Sequence, residues 1–178
     1  SSSSAASDVY KRQIFIPLKY APTTMVGRPM NNHYLNKELD ATRTKNNTQM
    51  LTKKNASKGL VKALKEGRVV GLVMDQHTGS GVDVEFLGHR AKQADSSSRL
   101  AVKFDALIIP LFFTMKSFGR YEAEFLEPIE PSDFQGEDQI SKLTQKQADI
   151  MSKQIYKHPQ QWFWQHKRFK EYHKEIYQ

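Results

Sequence analysis

A nearly continuous apolar segment between Arg68 and Asp75 constrains the fold of this chain more than any other feature. Its apolar side chains are Val69, Val70, Leu72, Val73 and Met74. Runs of this kind are typical of strands covered on both faces, as in parallel sheets that lie between helices. We therefore predict a buried strand here, within an α/β fold.

The segments before this strand predict a crossover unit. A short strand is predicted over residues 48–52, and a helix begins after Asn55 and stops at Gly67. Strand, helix and strand in this order predict a right-handed connection between parallel strands. Upstream, the predicted elements are strands at 14–16 and 24–26 and a helix from Asn31 or Asn32 to about Arg43.

Strands and helices also alternate downstream. The predicted elements are strands at 84–87, 106–113 (buried) and 121–126, a helix at 96–104 and a long amphipathic helix that ends before Pro159. Together, the elements predict a three-layer α/β/α sandwich with a mixed, mostly parallel sheet.

Charge and composition limit the classes of function. The chain has 178 residues, with 27 Lys and Arg against 19 Asp and Glu, and a formal net charge of +8. This surplus favours anionic partners: nucleic acid, an anionic membrane, a phosphorylated ligand or an acidic carrier protein. Without cysteine the chain has neither disulfides nor a thiolate zinc site. No apolar run reaches the roughly 18 residues that a membrane-spanning helix needs.

The first 13 residues are expected to be a sequencing or adapter artefact and to be disordered. Residues 1–7 are of low complexity, and residues 8–13 (DVYKRQ) match the translation of a transposase adapter end. Residues 14–178 are then expected to form the C-terminal part of a single domain.

Asp75 and Gln76 follow the apolar strand and open a loop that contains Gly79 and Gly81. Ligands of open α/β sheets collect outside the carboxyl ends of the strands, so the Asp75 carboxylate can orient a substrate hydroxyl. Capping of the turn explains the same residue equally well. The two glycines are no phosphate-binding signature, because the Lys-Ser/Thr of a P-loop is missing.

A basic cluster surrounds Arg43, with Arg28 upstream and Lys45, Lys53 and Lys54 downstream. The planar guanidinium suits a phosphate or a carboxylate. A solvated basic face is the more common explanation of such a cluster.

Two histidines have a carboxylate five residues later, His33 with Glu38 and His166 with Glu171. Neither pair is expected to be catalytic, because the first lies in a polar helix and the second in a basic, aromatic tail. The chain contains neither a nucleophile elbow nor a cluster of metal ligands, so no metal is expected.

Residues 159–170 (PQQWFWQHKRFK) interleave aromatic and basic side chains. Trp162 and Phe163 can pack under the sheet, which is the usual place for aromatic residues at helical spacing. Alternatively, the segment can dock on a bilayer, or its rings can stack on nucleic-acid bases.

Several blocks of the chain, in this order, resemble the lipid A biosynthesis acyltransferases, the family of lauroyl and myristoyl transferases. The blocks are VGRP at 26–29 with Asn31 and Asn32, Arg43, ALKEG at 63–67 leading into 69–76, FLG at 86–88, IIP at 108–110 and the tail at 159–170. The resemblance covers about residue 14 to the end of the chain.

The resemblance implies an α/β sandwich that moves a fatty acyl chain from acyl carrier protein to a hydroxyacyl chain of a lipid A precursor. Acyl-acyl carrier protein is the donor, and no cofactor is implied. The implied partners are acyl carrier protein, a phosphorylated glycolipid acceptor and the anionic surface of the inner membrane, at its cytoplasmic face in Gram-negative bacteria. No nucleic-acid partner is expected.

Carried over by position, the resemblance gives Arg43 a catalytic role beside a His-x4-Asp/Glu dyad, and Asp75 a less defined one. The residues expected to bind substrate are Arg28, Arg43, Gln76 and Arg168. The dyad itself would precede Ile14, where only the first 13 residues lie. The chain is therefore expected to be an N-terminally truncated fragment that lacks the dyad and a membrane anchor and is inactive alone.

Two other functions fit parts of the sequence. One is another lysophospholipid or glycerolipid acyltransferase, which would use a different acceptor. The other is a basic nucleic-acid-binding domain, which would bind strands with a steep dependence on salt.

Overall fold

The computed structural model describes residues 21–27, 32, 34, 36–38, 41 and 47–177. The chain divides into two compact units between Leu72 and Val73. The predictions for residues 1–13 and for a strand at 14–16 lie outside the described residues.

The first unit, up to Leu72, contains a parallel three-stranded sheet. Its strands are β1 (Thr23–Val26), β2 (Thr48–Leu51) and β3 (Val69–Gly71), in the order β2-β1-β3. Helix α1 (Ala56–Lys65) connects β2 to β3 and packs against β1 and β3. The predicted strand–helix–strand order and the parallel pairing are therefore confirmed.

Helix α1 ends where the sequence predicts. Gly67 has a φ of 71°, a left-handed conformation that glycine adopts without a clash from Cβ. The Arg68 N–H donates to the Ala63 carbonyl oxygen at 3.0 Å, which closes the last turn.

The helix predicted from Asn31 or Asn32 is partly described. Tyr34, residues 36–38 and Ala41 are helical. The Tyr34 N–H donates to Asn32 Oδ1 at 3.0 Å, which is the bond that an N-cap residue makes.

The prediction of a long strand buried on both faces after Arg68 is wrong. Only Val69–Gly71 is a strand, and Val69 is exposed, as is Val73 beyond the strand. Among the described strands, β3 pairs only with β1 and so lies at the edge of its sheet. An edge strand leaves part of its apolar surface uncovered. The sequence of the strand alone does not show whether it lies at the edge or in the middle of a sheet.

The second unit, from Val73 onward, contains two antiparallel strand pairs and two helices. In chain order they are β4 (Val82–Phe86), β5 (His89–Gln93), α2 (Ser96–Phe104), β6 (Leu111–Ser117), β7 (Arg120–Phe125) and α3 (Gln139–Lys157). β4 pairs with β5, and β6 pairs with β7. The predicted helix at 96–104, the long helix before Pro159 and the strands near 84–87 and 121–126 are confirmed.

The core of the second unit contains two apolar clusters. In the first, Phe86 of β4 packs with Ala148 and Ile155 of α3, and Trp162 and Phe169 cover this cluster. The second cluster contains Ala101, Ile129 and Leu143. Of the two aromatic residues that the sequence allowed to pack under the sheet, Trp162 is partly buried against the first cluster, whereas Phe163 is exposed.

The buried strand predicted at 106–113 is displaced in the structure. β6 begins only at Leu111, and Leu107 and Ile109 are about half exposed. Pro110 precedes β6, and proline has no N–H to donate to a strand ladder. Exposure alternates between neighbouring residues here, so only one face of the segment is covered.

The described residues show a mixed α/β fold with one parallel three-stranded sheet, and the three-layer sandwich stays a prediction. The two antiparallel pairs form separate hydrogen-bonded groups rather than parts of that sheet. Within the described ranges, no helix is long and apolar enough to cross a bilayer.

Candidate active site

The loop that follows β3 along the chain is bonded to the C-terminal tail (residues 158–177). The His77 N–H donates to His166 Nε2 at 2.6 Å. The His77 ring lies against Glu171, with 2.8 Å between Nε2 and Oε1. In the sequence Glu171 lies five residues after His166, a spacing that was not expected to be catalytic, and in the structure its carboxylate is bonded to His77.

His166 is neutral in this arrangement. Its Nε2 accepts the His77 N–H, so the ring proton is on Nδ1. Burial lowers the pKa of His166, and electrostatic interactions with His77 and Arg168 lower it further. The contact between the loop and the tail is therefore made by an uncharged imidazole.

Asp75 lies two residues before His77 in the same loop. The residue is half-buried, but its Oδ1 atom is fully buried and has no hydrogen-bond partner among the described residues. Burial raises the pKa of the Asp75 carboxyl, and a hydrogen bond from its own backbone and the Arg168 charge partly oppose this rise. The carboxylate is thus less stable in its charged form than in water.

Arg168 is 1% exposed, which is unusual for an arginine. Its Nη1 donates to the Lys92 carbonyl oxygen, and its Nη2 donates to Gln93 Oε1 at 2.7 Å. The guanidinium carbon lies 4.7 Å from the centre of the Phe86 ring, within cation–π range. Burial lowers the pKa of Arg168, and the negative charge of Asp75 raises it in part.

Asp75 and Arg168 therefore interact through charge, but the structure records no direct ion pair between these two described residues. Arg168 Nε and Gln93 Nε2 are also buried donors without a partner among the described residues. The expected substrate-binding role of Arg168 stays a prediction. Its present contacts anchor the tail on β5 and on Phe86 of β4.

A second group of polar and charged side chains, at the surface, bonds the tail to the β4–β5 hairpin. The Tyr172 hydroxyl, Arg90 and Lys92 all bond Asp83. These bonds, with the one from Lys92 largest, hold the pKa of Asp83 well below its usual range. Arg90 also stacks on the Tyr172 ring, 4.4 Å from its centre. Every charge in this set has a partner, as expected of a structural cluster.

The remaining sequence-predicted site residues are Gln76, Arg28 and Arg43. Gln76 is exposed on the loop. Arg28 and Arg43 lie outside the described residues, as does His33. In the part of the chain that the structure describes, no three His, Asp or Glu side chains are grouped so that they could hold a metal ion.

His77 is the site residue that sequence reasoning missed. It directly follows Asp75 and Gln76, so it lies in the loop that the sequence analysis had already singled out. Its pairing with Glu171 was not readable, because the two residues are 94 positions apart. A histidine bonded to a carboxylate can act as a general base, or it can stabilise the contact between two segments of the chain.

The protein has an α/β fold, and the polar residues Asp75, Gln76 and His77 follow a parallel strand along the chain. The chain belongs to the bacterial lipid A biosynthesis acyltransferase family, whose model matches residues 12–171. The resemblance expected from the sequence is therefore confirmed, and with it an acyltransferase activity of the lipid A biosynthesis type. A search of curated proteins finds no match.

Proposed function

We propose that this protein transfers a fatty acyl chain from acyl carrier protein to a hydroxyacyl chain of a phosphorylated lipid A precursor. The observation that carries the proposal is the family match over residues 12–171. The net charge of +8 supports it, since both an acidic carrier protein and a phosphorylated glycolipid are anionic.

The transfer needs a base, an acyl donor and stabilisation of negative charge. The base removes the proton of the acceptor hydroxyl, whose oxygen attacks the thioester carbonyl. An ester C–O bond then forms, the C–S bond breaks, and the carrier thiol leaves with a proton. Both reactants bring their own functional groups, so the proposed reaction uses no cofactor.

We assign the role of charge stabilisation to Arg43, the position that matches the family arginine. A guanidinium can hold the dyad carboxylate, a lipid phosphate or the developing oxyanion. The base in the family pattern is the histidine of a His-x4-Asp/Glu dyad upstream of residues 26–29.

His77 and Glu171 are assigned a structural role. Both the backbone and the ring of His77 are bonded to the tail, so the pair fixes the loop that carries Asp75 and Gln76. His77→Gln should therefore lower acyl transfer by less than about tenfold. A loss of 10²–10⁴-fold, the usual contribution of a general base, would instead make His77 the base.

The proposed setting is the cytoplasmic face of the inner membrane of a Gram-negative bacterium, where the acceptor lipid is made. The proposed partners are acyl carrier protein, the phosphorylated glycolipid and the anionic membrane surface. Nucleic acid is not a proposed partner.

The acceptor is tested with three lipids and one donor. The reading frame is taken from the source DNA, so that any codons upstream of Ile14 are included, and the 178-residue chain is assayed beside it. Product is measured by mass spectrometry after incubation with acyl-acyl carrier protein and a phosphorylated disaccharide precursor, its dephosphorylated form or a lysophospholipid. Transfer to the phosphorylated disaccharide alone supports the proposal, whereas transfer only to the lysophospholipid overturns it.

The role of Arg43 is tested in the same assay. Arg43→Ala should lower the rate by about 10²-fold or more, as expected for a group that stabilises developing charge. Lys37→Ala is the control, because it removes an exposed cation from the same predicted helix. Equal rates in the two variants would remove Arg43 from the mechanism.

A further inference from the structure

An apolar cavity of about 390 Å³ opens on the second unit, between the end of α3 and the C-terminal tail. Its walls include Leu87, Ile155 and Phe169. Its lining also includes three apolar side chains that are exposed to more than half: Tyr156 (68%), Trp164 (56%) and Ile176 (60%). We call these three residues the C-terminal apolar patch.

The indole of Trp164 offers little polar surface. Its Nε1–H donates to the Pro159 carbonyl oxygen at 2.7 Å, so the only donor of the ring is already bonded within the chain. The exposed part of the ring is therefore almost purely apolar. Leaving such rings in water is unfavourable, and grouped exposed apolar side chains mark interaction sites.

The sequence around the patch is strongly basic. Residues 153–178 contain six Lys or Arg and two Glu. Exposed lysines are Lys153, Lys157, Lys167, Lys170 and Lys174. Lys153 lies one helical turn before Tyr156, so cationic and apolar groups share one side of α3.

We propose that the C-terminal apolar patch docks this protein on the surface of an anionic phospholipid bilayer. Aromatic side chains settle at the level of the lipid headgroups, and lysines extend from there to the phosphates. The apolar lining of the cavity between them suits lipid hydrocarbon, and its volume of about 390 Å³ is within the 300–1,000 Å³ that is common for ligand pockets.

Charge decides between the possible occupants. A second copy of the chain would bring lysines against lysines, which opposes self-association. An anionic bilayer offers both parts that the patch needs, apolar depth for the rings and phosphates for the lysines. An acidic protein or a nucleic acid would satisfy the lysines, but would leave the mouth of the cavity in water.

The inference rests on the proposed function, which names the anionic membrane surface as a partner, and it assigns the residues that contact that surface. Vesicle binding needs no catalysis, so docking and acyl transfer can fail separately.

The test is sedimentation of the full chain with vesicles of phosphatidylcholine, with and without phosphatidylglycerol. Replacing Tyr156, Trp164 and Ile176 together by Ser should lower the partition coefficient on anionic vesicles by about tenfold or more. Phe118→Ser is the matched control, since it removes a 99% exposed apolar side chain that does not line the cavity. It should stay within about twofold of wild type.

Fluorescence gives a second measurement, which begins with the unchanged chain. The chain has two tryptophans, and Trp162 is partly buried against the core cluster around Phe86. Brominated lipids should quench the emission of the wild type, and Trp164→Phe should lose most of that quenching.

Three results would overturn the proposal. The first is equal vesicle binding by the triple variant and the Phe118→Ser control. The second is equal binding to vesicles with and without phosphatidylglycerol. The third is a triple variant that loses binding to acyl carrier protein or to an oligonucleotide while keeping its affinity for anionic vesicles.

Discussion

Removing the charge of Arg168 is the most informative perturbation of the tail. Arg168→Met keeps much of the side-chain volume but deletes the guanidinium. Two donated hydrogen bonds are lost, to the Lys92 carbonyl oxygen and to Gln93 Oε1, together with the contact over the Phe86 ring. The Asp75 carboxylate also loses the positive charge that favours its ionised form.

The magnitude follows from these contacts. A hydrogen bond from a charged group contributes about 1.5–3 kcal/mol, and a desolvated cation–π contact contributes about 2 kcal/mol. Relief of the buried charge offsets part of this loss. We therefore expect Arg168→Met to lower the free energy of unfolding by about 3–5 kcal/mol, as for other broken buried charge networks.

A double-mutant cycle with Asp75→Asn isolates the charge interaction. Since burial raises the pKa of Asp75, the ionised carboxyl opposes folding at neutral pH, and Asp75→Asn should be neutral or stabilising. Because each single variant removes the same attraction, the double variant should be less destabilised than the sum of the two. We expect a difference of at least about 0.5 kcal/mol.

The assay is urea unfolding at pH 7, followed by tryptophan fluorescence. Both tryptophans lie in the tail, so the signal reports on the region that Arg168 anchors. Arg120→Met is the control, since it deletes an exposed guanidinium on β7. The reasoning fails if Arg168→Met lowers the unfolding free energy by less than about 1 kcal/mol, or if the cycle is additive.

Two further predictions concern stability. Gly81→Ala should lower the midpoint of urea unfolding more than Gly88→Ala does. Both glycines have a positive φ, but only at Gly81 would a Cβ come within 2.0 Å of the Gln93 carbonyl oxygen. Equal midpoints in the two variants would contradict this packing. The pKa of His166 is lowered in the folded state, so the unfolded state binds more protons below about pH 6.5 and stability is lost as pH falls from there towards the folded pKa. His166→Gln, which can still accept the His77 N–H, should show a smaller loss of urea midpoint between pH 7.5 and 5.5, and an unchanged loss would refute the assignment.

The helices of the second unit could be predicted from the sequence because their signals are local. The helix at 96–104 and the long helix before Pro159 carry apolar side chains at helical spacing. The strand predicted after Arg68 failed for a physical reason. An apolar segment is compatible with a buried strand, but its actual burial depends on which strands and helices pack beside it.

The candidate site was predictable only where the chain itself brings residues together. Asp75 and Gln76 were found because they follow an apolar strand. The bond between His77 and Glu171 joins residues 94 positions apart, and no periodicity encodes such a contact. The same holds for the bond between Arg168 and Gln93, which are 75 positions apart.

Adjacent residues of similar chemistry in the tail have different places in the structure. Trp162 packs on Phe86 with 5.8 Å between ring centres, while Trp164, two positions later, is half exposed. Arg168 is buried and Lys167, one position earlier, is exposed. An aromatic, basic composition therefore cannot separate a core segment from a docking surface, because this tail contains both. The separation comes from the polar atoms: the Arg168 guanidinium is bonded inside the fold, whereas the lysines extend into solvent, where an anionic surface can reach them.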